Sequence, residues 1–387
     1  MKRLLVSCSN RSEYGLIRPV LLELIELNKS YNTLAVNLIL YSSAVSTCFD
    51  DVIRDFGESS IDITRLVSSE ASPEESLNCH FGRLAHQFSS DDFFFCDMLL
   101  VAGDRYESFA LTQAAFYQRI PIAHMFGGDI SNGGHFDDHI RHALTHLASV
   151  HFPVNKTASS NLLAMHQEMS RIFLIGSPVV DDIAKLDNTL VNSILCDVLI
   201  SFNPMTLDLT RAVSKDLRIT LEALQILQSE TVLHCVATSP NNEPGFQEIN
   251  DIYKEYQAMG VLEIVKSFGS PQYLYAIRDS QIVIGNSSSQ VLEVPILGRR
   301  CLLVGNRQNG RHKPESVVHI NSLRSPEEVK DTISSMLHSC PPDPCRDYGD
   351  PGVSRAIVNV LHQLIHMSQD LLVQKNLPLP MVKRECY

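Results

Sequence analysis

The sequence predicts an α/β protein built from two successive doubly wound domains with a cleft between them. Its 387 residues exceed one ordinary core and suit two domains of about 150–200 residues each. Short aliphatic runs, each followed by a turn and a segment of helical period, recur through the chain and begin afresh near its middle. That alternation is the mark of stacked βαβ units with parallel sheets.

In the first half the expected strands are residues 4–8, 34–40, 97–103, 120–124, 149–154 and 171–176, with helices at 13–28, 106–118, 136–147 and 156–168. In the second half strands are expected at 198–202, 231–237, 261–265, 281–285 and 300–305. Helices are expected there at 210–228, 246–258, 271–279, 288–297 and 325–337. The turn GSPVVDD at 176–182 reads as the linker, through Gly176 and Pro178. Domains are therefore expected at 1–178 and 179–353, followed by a final helix and polar tail over 354–387. No internal repeat aligns residue by residue.

Composition narrows the function. With 44% hydrophobic and 20% charged residues the chain is an ordinary globular protein. A net charge of −12 with scattered basic residues speaks against a nucleic-acid or anionic-membrane surface. Only Leu4 to Val6 form an apolar stretch near the start, and no run approaches the roughly 20 residues of a membrane span. The ten cysteines are dispersed and several lie in strand-like runs, so reduced thiols and a cytoplasmic location are expected.

In doubly wound folds ligands bind beyond the carboxyl ends of strands, so residues just after strands carry the information. After the first strand stands SNRSEYG (9–15), a polar turn opening a helix beside Arg11. It suits an anion, or is an ordinary helix cap with Ser12 or Asn10 as the capping residue. After the third expected strand comes GDRYE (103–107), where Asp104 and Arg105 serve catalysis and phosphate binding, or pair internally to cap the helix. HMFGGD (124–129) leads into a loop with Gly133 and Gly134, then HFDDHIRH (135–142). The paired glycines suggest a backbone approaching a ligand. Asp137 and Arg141 share a helix face, as do Asp138 and His142, which equally describes simple helix-stabilising pairs.

His135/His139 and His142/His146 have helical metal-ligand spacing, but no third ligand or supporting partner is evident, so no metal is expected. Cys340 and Cys345 likewise lack a second pair at zinc spacing. In the second half IGNSSSQVLE (284–293) places serines at a helix start as a diphosphate cradle, or as a plain serine cap. A glycine-bounded basic loop follows at 305–311. Walker, dinucleotide and serine-elbow motifs are absent.

Taken in order, SNRSEYG (9–15), GDRYE (103–107), GGD (127–129), DDHIRHALTHLA (137–148), IGSPVVD (175–181), NPMT (203–206), IGNSSSQVLEV (284–294), RQNGR (307–311) and YGD (348–350) resemble the hydrolysing UDP-N-acetylglucosamine 2-epimerase family. The resemblance covers nearly the whole chain and includes the epimerase half of the bifunctional animal enzyme. It implies two Rossmann-like domains of the glycosyltransferase-B type, with the final helix crossing back to the first.

By the same resemblance Asp104, Asp129 and Asp137 match the catalytic carboxylates. Arg11, Arg105, Ser287, Ser288 and Arg311 would surround the diphosphate, Glu293 the ribose, and Asn203, Asn241 and Arg141 would complete the substrate site. The implied reaction eliminates UDP to a glycal and adds water, giving N-acetylmannosamine for sialic-acid synthesis. It needs no cofactor and runs in a homodimer or homotetramer. A UDP-2,4-diacetamido-trideoxyhexose feeding legionaminic acid is the close alternative. A glycosyltransferase and a catalytically impaired UDP-sugar-binding protein lie further off. Two positions depart from the family pattern: Asp129 stands for a glutamate and Asn203 for a histidine.

Overall fold

The computed structural model describes residues 1–72, 75–89, 96–131, 136–187, 196–205, 212–240, 245–269, 271–323 and 325–383. The chain divides into two compact units. The first comprises Met1–Asp129, Asp137–Asp181 and Gly349–Tyr387, and the second Ile130–Phe136 and Asp182–Tyr348.

The first unit holds strands β1 (Lys2–Cys8), β2 (Leu34–Leu40), β3 (Ile61–Arg65), β4 (Met98–Ala102), β5 (Ile122–Met125) and β6 (Val150–Phe152) in the order β3-β2-β1-β4-β5-β6. Every pairing is parallel. Its helices are α1 (Arg11–Tyr31), α2 (Ala44–Thr47), α3 (Phe49–Phe56), α4 (Leu77–Phe88), α5 (Tyr106–Tyr117), α6 (Phe136–Leu147) and α7 (Lys156–Ala164), and the division between the units falls within α8 (Val179–Ala184).

The second unit repeats the scheme. Strands β7 (Val198–Ser201), β8 (Cys235–Thr238), β9 (Glu263–Val265), β10 (Ile282–Gly285), β11 (Arg300–Val304) and β12 (Val317–Ile320) lie in the order β12-β11-β10-β7-β8-β9, again all parallel. Helices α9 (Ala212–Glu230), α10 (Phe246–Ala258), α11 (Gln272–Asp279), α12 (Glu293–Ile296) and α13 (Pro326–His338) accompany it. Finally, α14 (Val353–Ile365) packs on α1 of the first unit, and α15 (Gln369–Val373) follows.

Renumbered within its unit, each sheet has the order 3-2-1-4-5-6, so the strand order reverses between β1 and β4 and between β7 and β10. Chain leaving those strands diverges to opposite sides, leaving a crevice at their carboxyl ends. The interior strands are apolar because helices cover both faces: all five residues of β4 are buried, as are all four of β7 and of β10.

Five expectations change. β3 and β12 add to the expected strands; both are edge strands with only partial burial and lack a continuous apolar run. Residues 171–176 do not form a strand. Met169–Arg171 is a 3-10 turn, and Ile172 makes one isolated bridge to His151. Helices α3 and α4 were not foreseen. The helix expected at 156–168 stops at Ala164, where the chain turns through left-handed His166 (φ +59°). The helix expected at 288–297 is a 3-10 turn, Ser288–Gln290, followed by the single-turn α12.

Candidate functional site

Arg141 organises the first cluster. It projects from α6 and is 1% exposed, yet its guanidinium finds compensation. It pairs with Asp104, in the loop after β4, and with Asp138 one turn earlier on α6. It also donates to the Asp129 backbone carbonyl at 3.1 Å. The charges of Asp104, Asp129 and Asp138 more than offset burial and hold the guanidinium protonated. One buried cation thus ties two loops and a helix turn together: the ends of β4 and β5 and the first turn of α6, where Asp137 sits beside Asp138.

The β5 loop is shaped by tight packing. Phe126 is left-handed (φ +65°) and Gly128 has φ +81°. A Cβ on Gly128 would fall 2.2 Å from the Ala158 carbonyl oxygen, and one on Gly127 2.9 Å from Nδ1 of His124. At these glycines the missing side chains leave room for α7 and His124. Asn161 fixes the loop further, donating to the Gly128 carbonyl at 2.8 Å. Gly133, Gly134 and His135 lie outside the described residues.

His124 is buried and links β5 to the β4 loop. Its Nε2 lies 3.0 Å from the Gly103 carbonyl, which only accepts, so the proton resides on Nε2. Nδ1 faces the Thr145 hydroxyl at 3.4 Å. Burial lowers its pKa to about 4, assisted by the Arg141 charge, so the ring is neutral at physiological pH.

Arg11 and Arg105 lie in the same unit. Arg11 faces Asp51 at 3.6 Å, and Arg105 reaches Glu107 at 3.3 Å. Asn10, one of the two expected caps, closes α1 by accepting from the Glu13 amide at 3.0 Å.

The second cluster is made of amides and hydroxyls. Asn286, 2% exposed, receives the Asn203 N–H on Oδ1 at 2.7 Å and donates Nδ2 to the Asn203 carbonyl at 2.8 Å. Its own carbonyl accepts from Gln308 at 2.9 Å. Arg307 donates to the Pro204 carbonyl at 3.2 Å. Gly285 (φ +155°) has no space for a Cβ, which would lie 1.9 Å from the Ser201 carbonyl oxygen. The ends of β7, β10 and β11 are joined at the second switch point.

Ser287 caps the following 3-10 turn, and Ser288 is exposed. With only that turn and α12 behind them, these serines face the dipole of single turns rather than of a sustained helix. Burial raises the pKa of Glu293 while Arg311 pulls it down, and its Oε2 is buried without a hydrogen-bond partner among the described residues. Asn241 lies outside the described residues. Among the described residues no group of three or more His, Cys, Asp or Glu could hold a metal ion, and no helix is long and apolar enough to cross a membrane.

Glu13, His124, Asn286 and Gln308 join these clusters without standing out in the sequence. All lie inside or beside the motifs SNRSEYG, HMFGGD, IGNSSSQVLEV and RQNGR, but a buried connector bears no mark distinguishing it from its polar neighbours.

Two parallel doubly wound sheets, each with its polar loops at a topological switch point, define a protein of the Rossmann-like glycosyltransferase-B class. A profile of the UDP-N-acetylglucosamine 2-epimerase family matches residues 52–362, and the chain belongs to that family.

The chain is 26% identical over 337 residues to the GDP/UDP-N,N'-diacetylbacillosamine 2-epimerase (hydrolyzing) of Campylobacter jejuni, covering 83% of this chain and 85% of that one. It is 22% identical over 343 residues to the UDP-N-acetylglucosamine 2-epimerase of Neisseria meningitidis, covering 88% of each. A Neisseria meningitidis UDP-GlcNAc 2-epimerase solved with UDP-GlcNAc superposes with a TM-score of 0.74 at 19% identity, over 94% of this chain and all of that one. The S. aureus MnaA–UDP structure superposes at 0.76 and 17%, over 94% and 97%.

Proposed function

We propose that the chain is a hydrolysing 2-epimerase that converts a UDP-2-acetamido sugar into UDP and the free C2-inverted sugar. The observation that carries this reading is the convergence of Asp104, Asp129 and Asp138 on buried Arg141, with Asp137 adjacent, in a family that epimerises UDP-N-acetylglucosamine. Inverting C2 requires a proton removed from one face and delivered to the other, so carboxyl groups fixed on separate loops suit it. Asp104, Asp129 and Asp137 would provide those groups between them.

As C2 loses its proton the C1–O bond to UDP breaks, leaving a glycal; water then adds across the double bond, its oxygen to C1 and a proton to C2. The departing diphosphate gains negative charge, which Arg11, Arg105 and Arg311 would stabilise together with Ser287 and Ser288. Glu293, with an unsatisfied buried oxygen, would accept from ribose hydroxyls. Asn203 would hydrogen-bond the nucleotide or sugar, and Arg141 would hold the carboxylates in place.

UDP-N-acetylglucosamine is the first candidate substrate. UDP-N,N'-diacetylbacillosamine is the second, favoured by the names of the Campylobacter jejuni relative and of a Legionella pneumophila relative 24% identical over 331 residues.

Incubating the protein with each sugar nucleotide alone, and following UDP release and the new reducing sugar by NMR, tests the reading. Asp104→Asn and Asp137→Asn are expected to cut turnover by ~10²–10⁴ while UDP affinity changes little. Weakened binding with normal turnover at saturation would instead make these aspartates binding residues. Activity should survive EDTA; loss restored by one divalent metal would sink the metal-free mechanism.

A further inference from the structure

Glu13 begins as a piece of local structure. It is the third residue of α1, and its carboxyl accepts from the Ser9 backbone N–H at 2.6 Å, much as a capping-box carboxylate serves a helix start. Such carboxylates ordinarily sit at the surface. Glu13 is 3% exposed, and its other oxygen accepts from the Ser108 hydroxyl on α5 at 2.9 Å.

The carboxyl also packs under the loop after β4. A Cβ on Gly103 (φ +87°) would come within 3.2 Å of Oε1. One side chain therefore touches the loop that carries Arg11 and the loop that carries Asp104 and Arg105, on the two strands flanking the first switch point. We infer that Glu13 is a positioning residue that sets the spacing of these two loops, so that a group reaching neither solvent nor substrate decides where Arg11, Asp104 and Arg105 present their charges. The inference rests on the proposed function for its catalytic consequence, though not for the structural one.

Both protonation states find partners here: Oε2 accepts from the Ser9 N–H, while Oε1 meets the Ser108 hydroxyl, which donates to a carboxylate and accepts from a carboxylic acid. Burial pushes Glu13 up to about 7, with Ser9 and Ser108 pulling it down and Glu107 pushing it further up. The groups facing it are Glu107, itself beside Arg105, on and before α5; Tyr41 after β2; and Cys8 on β1. Burial moves Tyr41 and Cys8 upward, away from neutrality.

Because the folded value lies above the ordinary 4.5, the stability Glu13 contributes is fully present below that value and lost as pH rises through about 7. Glu13→Gln, which capping geometry accepts, should thus melt no lower than wild type at pH 8 and yet turn over more slowly.

The test uses the full chain and two independent readouts. In hydrogen exchange at pH 8, Glu13→Asp, one bond shorter, is expected to speed amide exchange in both 9–11 and 103–106 by about tenfold, while Glu13→Gln stays within about threefold of wild type. Acceleration confined to 9–11 would reduce Glu13 to a helix cap and overturn the inference. In turnover of a UDP-sugar, Glu13→Asp is expected to lose about tenfold in kcat; wild type is expected to slow as pH falls through about 7, and Glu13→Gln to show no such fall. Unchanged kcat and an unchanged pH profile in both variants would also overturn it. A wild-type protein that releases no UDP from either sugar nucleotide defeats the proposed function, while the exchange comparison still decides the role of Glu13.

Discussion

The two switch points solve the same topological problem with opposite chemistry. In the first unit the loops after β4 and β5 are tied by a buried cation among carboxylates. In the second, the loops after β7 and β10 are tied by a neutral amide that copies a backbone partner for Asn203. A charge cluster resists dismantling because any one deletion strands the rest, whereas an amide clamp fails by single hydrogen bonds. The charged tie holds the carboxylates proposed to move protons, and the neutral tie holds loops proposed to meet the nucleotide.

The largest effect should come from breaking the charged tie. Arg141→Met removes the buried guanidinium that pairs with both Asp104 and Asp138 and breaks both ion pairs at once, a loss of about 3–5 kcal/mol. Chemical denaturation would measure it. A loss below about 1 kcal/mol, within the range of surface ion pairs, would mean that the cluster is solvated and its burial inconsequential.

The neutral histidine beside that cluster gives the next effect. His124 has a folded value near 4 against an ordinary 6.5, so its contribution to stability is present above 6.5 and lost as pH falls from there through about 4. At roughly 1.4 kcal/mol per pKa unit the loss is on the order of 3 kcal/mol. Urea midpoints at pH 7 and pH 4 should differ accordingly, and His124→Gln should shrink the difference. An unaltered pH dependence in that variant would assign the acid sensitivity elsewhere, for instance to buried His151, whose pKa is also lowered by burial.

Interior strands and the motifs after them were legible in the sequence because burial on both faces forces uninterrupted aliphatic runs, as in MLLVA (98–102) and IVIG (282–285). IDITR at 61–65 and VVHI at 317–320 were not, since an edge strand keeps polar residues on its open side. The run RIFLI misled in the other direction. Arg171 gives its five guanidinium hydrogen bonds to the carbonyls of Ser149, Leu371, Leu372, Gln374 and Leu377, an attachment between distant parts of the chain that no local pattern announces.

The candidate site was legible to the same extent. Residues in polar turns after strands stood out, whereas their buried connectors looked like more of the same turn. Arg141 is tied to Asp138 on its own helix and, across the sheet, to Asp104. A side chain's partner across a fold depends on strand order, which spacing along one helix cannot supply.

Breaking the neutral tie should cost less than breaking the charged one. Asn286→Ala strands the Asn203 N–H and carbonyl in a buried place, a penalty of about 1–3 kcal/mol on stability. UDP affinity, read by calorimetry, should fall with it, since the displaced loop carries Asn203. Arg311→Ala should weaken UDP by roughly 1.5–3 kcal/mol through a lost charge-assisted hydrogen bond, with unfolding little changed. Unaltered UDP affinity in both variants would remove the second cluster from the nucleotide site.

The smallest effect is expected at Asn203 itself, where the resemblance leads to an expected histidine. Asn203 stands after β7, is largely buried, and has its backbone held on both sides by Asn286, so a change of side chain leaves the loop in place. If the side chain at this position only donates or accepts a hydrogen bond, asparagine and histidine are near equivalents. Asn203→His should then alter turnover by less than about tenfold, or 1.4 kcal/mol, and leave the pH profile unchanged. A proton-transferring role predicts otherwise, because asparagine cannot titrate and histidine can. Restoring histidine would then raise turnover by ~10²–10⁴ and add an ionisation near pH 6–7. The carboxylates gathered in the first unit already offer proton carriers, so the hydrogen-bonding role is the expected one. A large gain in rate accompanied by the new ionisation would make residue 203 a proton carrier and overturn the proposal that the first unit's carboxylates handle both proton transfers.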